Sequence, residues 1–362
     1  MRRHGLLWVL GATAGIRIAL LLTRTLELDG DEAVTGLMAR RILDGEHRAF
    51  FAGQDYMGTL EQYAQAAVLA VLPDTAFTLR LPQVASAVIA AALVHELATR
   101  CGLSARRALL ASAMFAVGPY FPVYWSAKSR GAYSLALVLG LAGLVLVLGV
   151  RRDDRRWPAA VAAFGLVAGL GFWSNQQAAY LLVPAGLWLL GTMRGRWAVT
   201  ALAAVPPFVV GASPALWRWA TTDADLLGST EGSSSIAERA QHFVTGTLPD
   251  LLGVRDDAEP IVGWLPPAFV SLVAIAALGV AVDRHRSGLA SIVRMRPTGR
   301  DPLALVVLVL ALAPFLYVAS GTATTATARF VFVLYGALPV AAAAMPVPGW
   351  LRRWLRPTEL AA

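Results

Sequence analysis

The sequence predicts an all-α integral membrane protein, a polytopic bundle of about ten transmembrane helices with amphipathic juxtamembrane helices in its first outer loop. Three observations predict it. Hydrophobic residues fill 57% of the 362 positions and charged residues only 15%, whereas a soluble domain sits near 45–50% apolar and about 25% charged. Apolar stretches of the length a bilayer requires, about 20 residues each, recur along the chain. They fall at 5–26, 82–99, 104–121, 131–150, 157–173, 177–192, 197–215, 263–281, 302–319 and 330–346. Finally, the charges separate between alternate connectors. With both termini cytoplasmic, the inner segments hold 19 of the 31 Lys and Arg residues against 5 acidic ones, and the outer segments hold 11 against 17. The positive-inside rule therefore predicts a multi-pass plasma-membrane protein with both termini in the cytoplasm. The basic excess is thereby explained as topology, without a nucleic-acid partner.

Length alone would suggest about two soluble domains, but the spans use most of the chain. One unit over 1–346 is expected, with a first outer loop at 27–81, a second at 216–262 and a short cytoplasmic tail at 347–362. The first stretch begins with Arg2 and Arg3, yet no small-x-small cleavage site follows at 22–25, so it reads as a span and not as a signal peptide. Arg17 falls within that span and must face the bundle or water, or snorkel. A structural partner and a wall of a site are both open to it. From Glu32 onward Val34, Leu37, Met38 and Ile42 recur at helical spacing with Arg40, Arg41 and Asp44 on the other side, until Gly45 ends the pattern. That describes a helix lying on the outer membrane surface. A second is expected at 59–72, with Leu60, Tyr63, Ala64, Ala67, Val68 and Val71 facing lipid or bundle, before Pro73-Asp74 breaks it. The connector at 151–156 reads as solvated and topology-setting, and 228–235 as a flexible Gly/Ser stretch. Cys101 is the sole cysteine, so no intrachain disulfide can form.

Several chemistries are absent from the sequence. There is no Walker loop, no Gly-rich dinucleotide turn, no HExxH and no paired-Cys motif, and the five histidines are scattered. No metal ligand set is assigned and no cofactor is fixed, although a divalent metal is compatible with what remains. What remains is a set of carboxylates and a set of cations, both on the predicted outer face. Glu27, Asp29, Asp31 and Glu32 place four acidic side chains within six residues. Asp29-Gly30-Asp31-Glu32 fits a capping box with Asp29 as N-cap and Glu32 three residues on. A carboxylate held there could equally take a proton from an acceptor hydroxyl as its oxygen attacks an electrophile. The cations meet the complementary need, since a departing phosphate gains negative charge that Arg and Lys can match. Lys128, the chain's only lysine, and Arg130 read either as phosphate contacts or as lipid-headgroup anchors. Arg329, at the mouth of the last span, reads as a phosphate contact or a snorkelling side chain.

The Asp31-Glu32 pair, the run Gly53-Gln54-Asp55-Tyr56-Met57-Gly58-Thr59-Leu60-Glu61 and Leu79-Arg80-Leu81-Pro82 resemble the first outer loop of the bacterial protein-mannosyltransferase-like membrane glycosyltransferases, of the GT-C fold. Lys128-Ser129-Arg130-Gly131-Ala132-Tyr133, Phe172-Trp173-Ser174-Asn175, Ala328-Arg329-Phe330 and Leu334-Tyr335 resemble later motifs of that group. The resemblance implies a polyprenyl-phosphate-linked sugar as donor and a cell-envelope glycan, lipid or protein as acceptor. It implies Asp31 as base and basic residues at the lipid phosphate. With it, Glu32 is expected to orient Asp31 or the acceptor, Lys128, Arg130 and Arg329 to contact the phosphate, and Gln54, Asp55, Tyr56 and Glu61 to make acceptor or loop contacts. The chain departs from the group's pattern in having Phe330 where Arg-Tyr is common, and, unlike the larger members, it is expected to carry no C-terminal soluble domain after the last span. A lipid-linked sugar flippase and a non-catalytic assembly subunit are the competing readings. The first would want ionisable residues along a mid-membrane pore, and here most lie in the outer loops.

Overall fold

The computed structural model of the chain describes every residue except 1, 24–25, 55–56, 222–234, 257–258, 261–265, 298, 300, 320–327 and 347–362. It is built of helices: α1 (Arg2–Leu22), α2 (Gly30–Leu43), α3 (Leu60–Leu69), α4 (Ala76–Leu79), α5 (Leu81–Arg100), α6 (Ala105–Ala116), α7 (Tyr120–Trp125), α8 (Tyr133–Gly149) and α9 (Trp157–Ser174). There follow α10 (Ala179–Thr192), α11 (Trp197–Thr221), α12 (Ile236–His242), α13 (Leu248–Leu252), α14 (Pro267–Arg284), α15 (Arg286–Val293), α16 (Leu303–Ala319) and α17 (Leu338–Ala344). Gln176–Ala178 and Ala328–Gly336 are 3-10 turns, and β1 (Arg255–Asp256) pairs antiparallel with β2 (Glu259–Pro260).

A helix occupies each of the ten predicted stretches. Among the described residues five helices are long and apolar enough to cross a membrane: His4–Leu22, Ala76–Arg100, Trp157–Ser174, Trp197–Thr221 and Pro267–Arg284. Tyr133–Gly149 and Leu303–Ala319 are apolar but shorter. The stretch at 104–121 is interrupted because Gly118-Pro119 follows the end of α6, and Pro119 caps the next helix, α7. The last stretch is likewise divided. Pro339 is tolerated in the first turn of α17, where no helical N–H is lost, and a 3-10 segment precedes it. In the second outer loop the Gly/Ser stretch lies outside the described residues up to position 234, and Ser235 caps α12 in a capping box with Glu238.

Packing follows small residues. Helices α9 and α11 approach along Gly165 and Gly169, where a Cβ would fall on the backbone carbonyls of Ala204 and Phe208. Without a hydrophobic force between helices in lipid, such close backbone contact is what association draws on. The main core lies between α5, α6, α8, α10, α16 and the 328–336 segment, around Leu97, Phe115, Leu141, Leu181 and Phe332. Arg17 is fully buried and resolves its two readings toward a structural partner. It donates to the terminal carbonyls of α6, Phe115 and Ala116, and through Nε to Ser126 Oγ at 3.2 Å. Carbonyls in the last turn of a helix have no intrahelical donor and carry the negative end of its dipole, so a cation suits them. The loop that begins at Ser126 is thereby tied to α1.

Candidate active site

The site is assembled at one end of the bundle, where the segment after α1, the start of α2, helix α3, Arg80 and the loop 126–132 converge. Helix α2 begins as the sequence predicts, with Asp29 extended and its side chain accepting the Glu32 N–H at 3.0 Å. The predicted capping box is only half made. The Glu32 side chain does not turn back to the cap, because it is fully buried and accepts from Arg80, Nε to Oε1 at 2.8 Å and Nη2 to Oε2 at 2.6 Å. Arg80 spends its other donors on the carbonyls of Leu26 at 3.0 Å and Glu27 at 3.2 Å. This side-on, two-bond pair locks the entrance of α5 to the start of α2.

Glu32 is also a partner of the loop 126–132. Its Oε1 accepts the Ser129 N–H at 3.0 Å, and its Oε2 stands 3.4 Å from Lys128 Nζ. Both of its oxygens are thus engaged by Arg80, the Ser129 N–H and Lys128. Lys128 is 4% exposed, donates to Asp29 Oδ2 at 2.6 Å and to the Glu27 carbonyl at 2.9 Å, and lies over the Tyr124 ring. Burial this deep disfavours the simple headgroup-anchor reading of Lys128. Arg130, half-buried, pairs with the same Asp29 oxygen and stacks on Trp125, 4.6 Å from the ring centroid. Asp31, two residues on from that ion cluster, is exposed and makes no ion pair among the described residues.

Glu61 comes into the same cluster from α3 and is buried. Its Oε1 accepts from Ser129 Oγ and from Gln65 Nε2, each at 3.1 Å, and its Oε2 accepts the Ala132 N–H at 2.5 Å. Burial pushes its carboxyl up to about 7, with the Glu32 charge adding to the rise and the bonds from Ser129, Ala132 and Gln65 opposing it. The backbone it holds is unusual. Gly131 and Ala132 both have φ of +62°, and the left-handed region costs an alanine about 1 kcal/mol. Asn175 Nδ2 bonds the Gly131 carbonyl at 2.8 Å, and Gly58 N–H bonds Ser174 O at 3.0 Å, so the turn after α9 braces both loops.

The remaining predicted residues are placed less centrally. Gln54 is half-buried in the first loop with its Oε1 unmatched by a protein donor, and Asp55 and Tyr56 lie outside the described residues. Arg329 opens the 328–336 segment with its guanidinium 4.8 Å from the Phe330 ring centroid, and no bond joins it to Lys128 or Arg130 among the described residues. Sequence reading passed over Asp29 as a counter-ion, Arg80 as the partner of Glu32, and Ser129. Arg80 stood within a quoted motif, but neither its spacing nor its neighbours name a partner 48 residues away. Among the described residues no group of three or more His, Cys, Asp and Glu side chains forms a metal-ligand set. Asp29, Glu32 and Glu61 are each engaged by protein donors, so these side chains as arranged do not fit a divalent metal.

This architecture has relatives of known structure. ArnT from Cupriavidus metallidurans, solved bound to undecaprenyl phosphate, superposes with a TM-score of 0.60 at 13% identity, over 96% of this chain and 62% of that one. The chain has the GT-C fold. The Archaeoglobus fulgidus oligosaccharyltransferase in its apo form also matches this GT-C bundle, with a TM-score of 0.53 at 14% identity over 95% of this chain and 50% of that one. The family model for dolichyl-phosphate-mannose-protein mannosyltransferases matches residues 59–217, which run from α3 to α11. No curated protein matches the sequence. The GT-C chain spans about three fifths of the length of ArnT and half that of the oligosaccharyltransferase.

Proposed function

We propose that the protein is a membrane glycosyltransferase that moves a sugar from a polyprenyl-phosphate carrier to an acceptor hydroxyl on the extracytoplasmic face. The observation that carries this reading is an exposed carboxylate, Asp31, with no ion pair among the described residues, two positions along from Asp29, on which two cations, Lys128 and Arg130, converge. Asp31 takes the proton of the acceptor hydroxyl as that oxygen attacks the anomeric carbon. The bond from that carbon to the phosphate oxygen breaks on the opposite side, so one displacement inverts the centre. The phosphate departs carrying the electron pair, and Lys128 and Arg130 match its added charge. Glu32 and Arg80 hold the start of α2, and with it Asp31, in register with the cation loop.

The fold relation to a protein solved with undecaprenyl phosphate supports a donor of that class. The charge distribution supports an outward-facing site, where nucleotide sugars are not available and a lipid-linked sugar is the sensible donor. The acceptor belongs to the cell envelope as a glycan, lipid or protein. Arg329 is a further phosphate contact in this reading, and Gln54, Asp55 and Tyr56 are assigned acceptor or loop contacts. Glu61, being buried, has another role, argued below. The test is chemical. A strain lacking the protein should accumulate a lipid-linked sugar that the purified protein then discharges to an envelope fraction, and an unchanged lipid-linked pool would reject the assignment.

A further inference from the structure

Glu61 is a buried carboxylate with no cation within bonding distance among the described residues, set against the loop that carries Lys128 and Arg130. Its ligands are Ser129 Oγ, Gln65 Nε2 and the Ala132 N–H. Gln65 Nε2 donates to Ser129 Oγ as well as to Glu61, while its buried Oε1 has no donor among the described residues. A proton on Glu61 would give the cluster the missing donor, after rotation of the Gln65 amide. The same proton would weaken the acceptor on which the left-handed Ala132 depends. Helix α2 offers Glu32, whose charge Arg80 and Lys128 already match, and the loop offers Lys128 and Arg130, both directed to Asp29.

We propose that Glu61 is a positioning residue that binds a proton: ionised, it holds Ser129 and Ala132 and so presents Lys128 and Arg130 to the donor phosphate, and protonated, it lets that loop relax. The rise of its carboxyl toward neutrality, caused by burial, puts this change within the physiological range. The inference rests on the reading of Lys128 and Arg130 as phosphate contacts.

The test is a binding titration of the full-length protein in micelles with undecaprenyl phosphate between about pH 6 and pH 8. The phosphate monoester itself changes charge near pH 6, so the quantity read is the difference between the parental protein and Glu61→Gln. Gln keeps an acceptor for the Ala132 N–H and supplies a donor for Gln65, but it does not titrate. Going from pH 8 to pH 6, the parental protein should lose about fivefold more affinity than Glu61→Gln, the effect of one hydrogen bond. Ser129→Ala removes a bond that favours the ionised carboxyl, so it should move the midpoint of the parental profile to higher pH. Coincident parental and Glu61→Gln profiles, or a midpoint that Ser129→Ala leaves in place, would overturn the role of Glu61 while the phosphate site stands. Failure of the parental protein to bind undecaprenyl phosphate at any pH would instead remove the phosphate site, and the proposal with it.

Discussion

Asp29 Oδ2 and Lys128 Nζ meet at 2.6 Å across 99 residues of sequence, and Arg130 converges on the same oxygen. One side chain therefore caps α2 and pairs with both cations of the neighbouring loop. Asp29→Asn separates the two tasks, since Asn caps about as well as Asp but carries no charge. The variant should bind undecaprenyl phosphate about tenfold more tightly, an order set by one partly screened charge. Unchanged affinity in a binding titration would reduce Asp29 to a cap.

Asp31→Asn tests the base. The exposed side chain makes no ion pair among the described residues, so thermal stability should stay close to parental. Transfer from a lipid-linked donor should fall by roughly 10²–10⁴-fold, the usual weight of a general base. Full turnover by a purified Asp31→Asn protein would return Asp31 to a surface role.

The Glu32–Arg80 pair is buried on both sides, with side-chain exposures of 0% and 3%. Glu32→Gln leaves the Arg80 charge without its partner in a low dielectric, which typically costs about 3–5 kcal/mol, whereas Arg80→Gln leaves Glu32 with Lys128 at 3.4 Å. Unfolding of both single variants and of the double variant should therefore be non-additive, the double being less damaged than the sum. Additive losses would mean the two groups act independently.

Glu61 gives a stability signature opposite to that of an ordinary paired carboxylate. Its folded carboxyl is raised from 4.5 to about 7, so the folded state binds more protons than the unfolded one between those values. Its contribution is most favourable below pH about 4.5 and is lost as pH rises through about 7. The melting temperature of the parental protein should decline over that range relative to Glu61→Gln, even as the ionised form binds phosphate better. Parallel melting curves across the range would contradict the shift.

Gly58 is sterically committed. A Cβ there would fall on the Trp173 carbonyl and within 2.8 Å of the Trp173 indole. Gly58→Ala must displace the first loop from the turn after α9, and transfer should drop with little change in the helix content read by circular dichroism. A fully active Gly58→Ala enzyme would show that this brace is dispensable.

Much of this arrangement was legible in the residues, and what was not has a common cause. The periodicity from Val34 to Ile42 marked α2, Gly45 marked its end with a φ of +88°, and Asp29 was placed correctly as its N-cap. The second juxtamembrane helix, expected over 59–72 with Pro73-Asp74 breaking it, forms as Leu60–Leu69 and ends short of the proline. The partners of the charged groups could not be read. Glu32 finds Arg80 48 residues away and Glu61 finds Ser129 68 residues away, distances at which no local pattern operates. Asp29 was credited only with its cap because an N-cap satisfies local rules by itself. The apolar run at 104–121 gave no warning that α6 would stop at Ala116, although Gly118-Pro119 carried the signal.

Helix α3 turns its polar Glu61, Gln62 and Gln65 inward, where they are buried, and its apolar Ala64 and Ala67 outward. It is a surface element worn partly inside out, held by the hydrogen bonds of Glu61 and Gln65 as well as by Leu60 and Tyr63 against the Phe50 and Trp173 cluster. Such attachment is firm only where water is scarce, because each of its bonds gains strength from a low dielectric. Stripping of annular lipid should therefore free this segment early, ahead of the helices that carry the core. The choice of detergent would then govern how much of the cation loop's geometry survives purification.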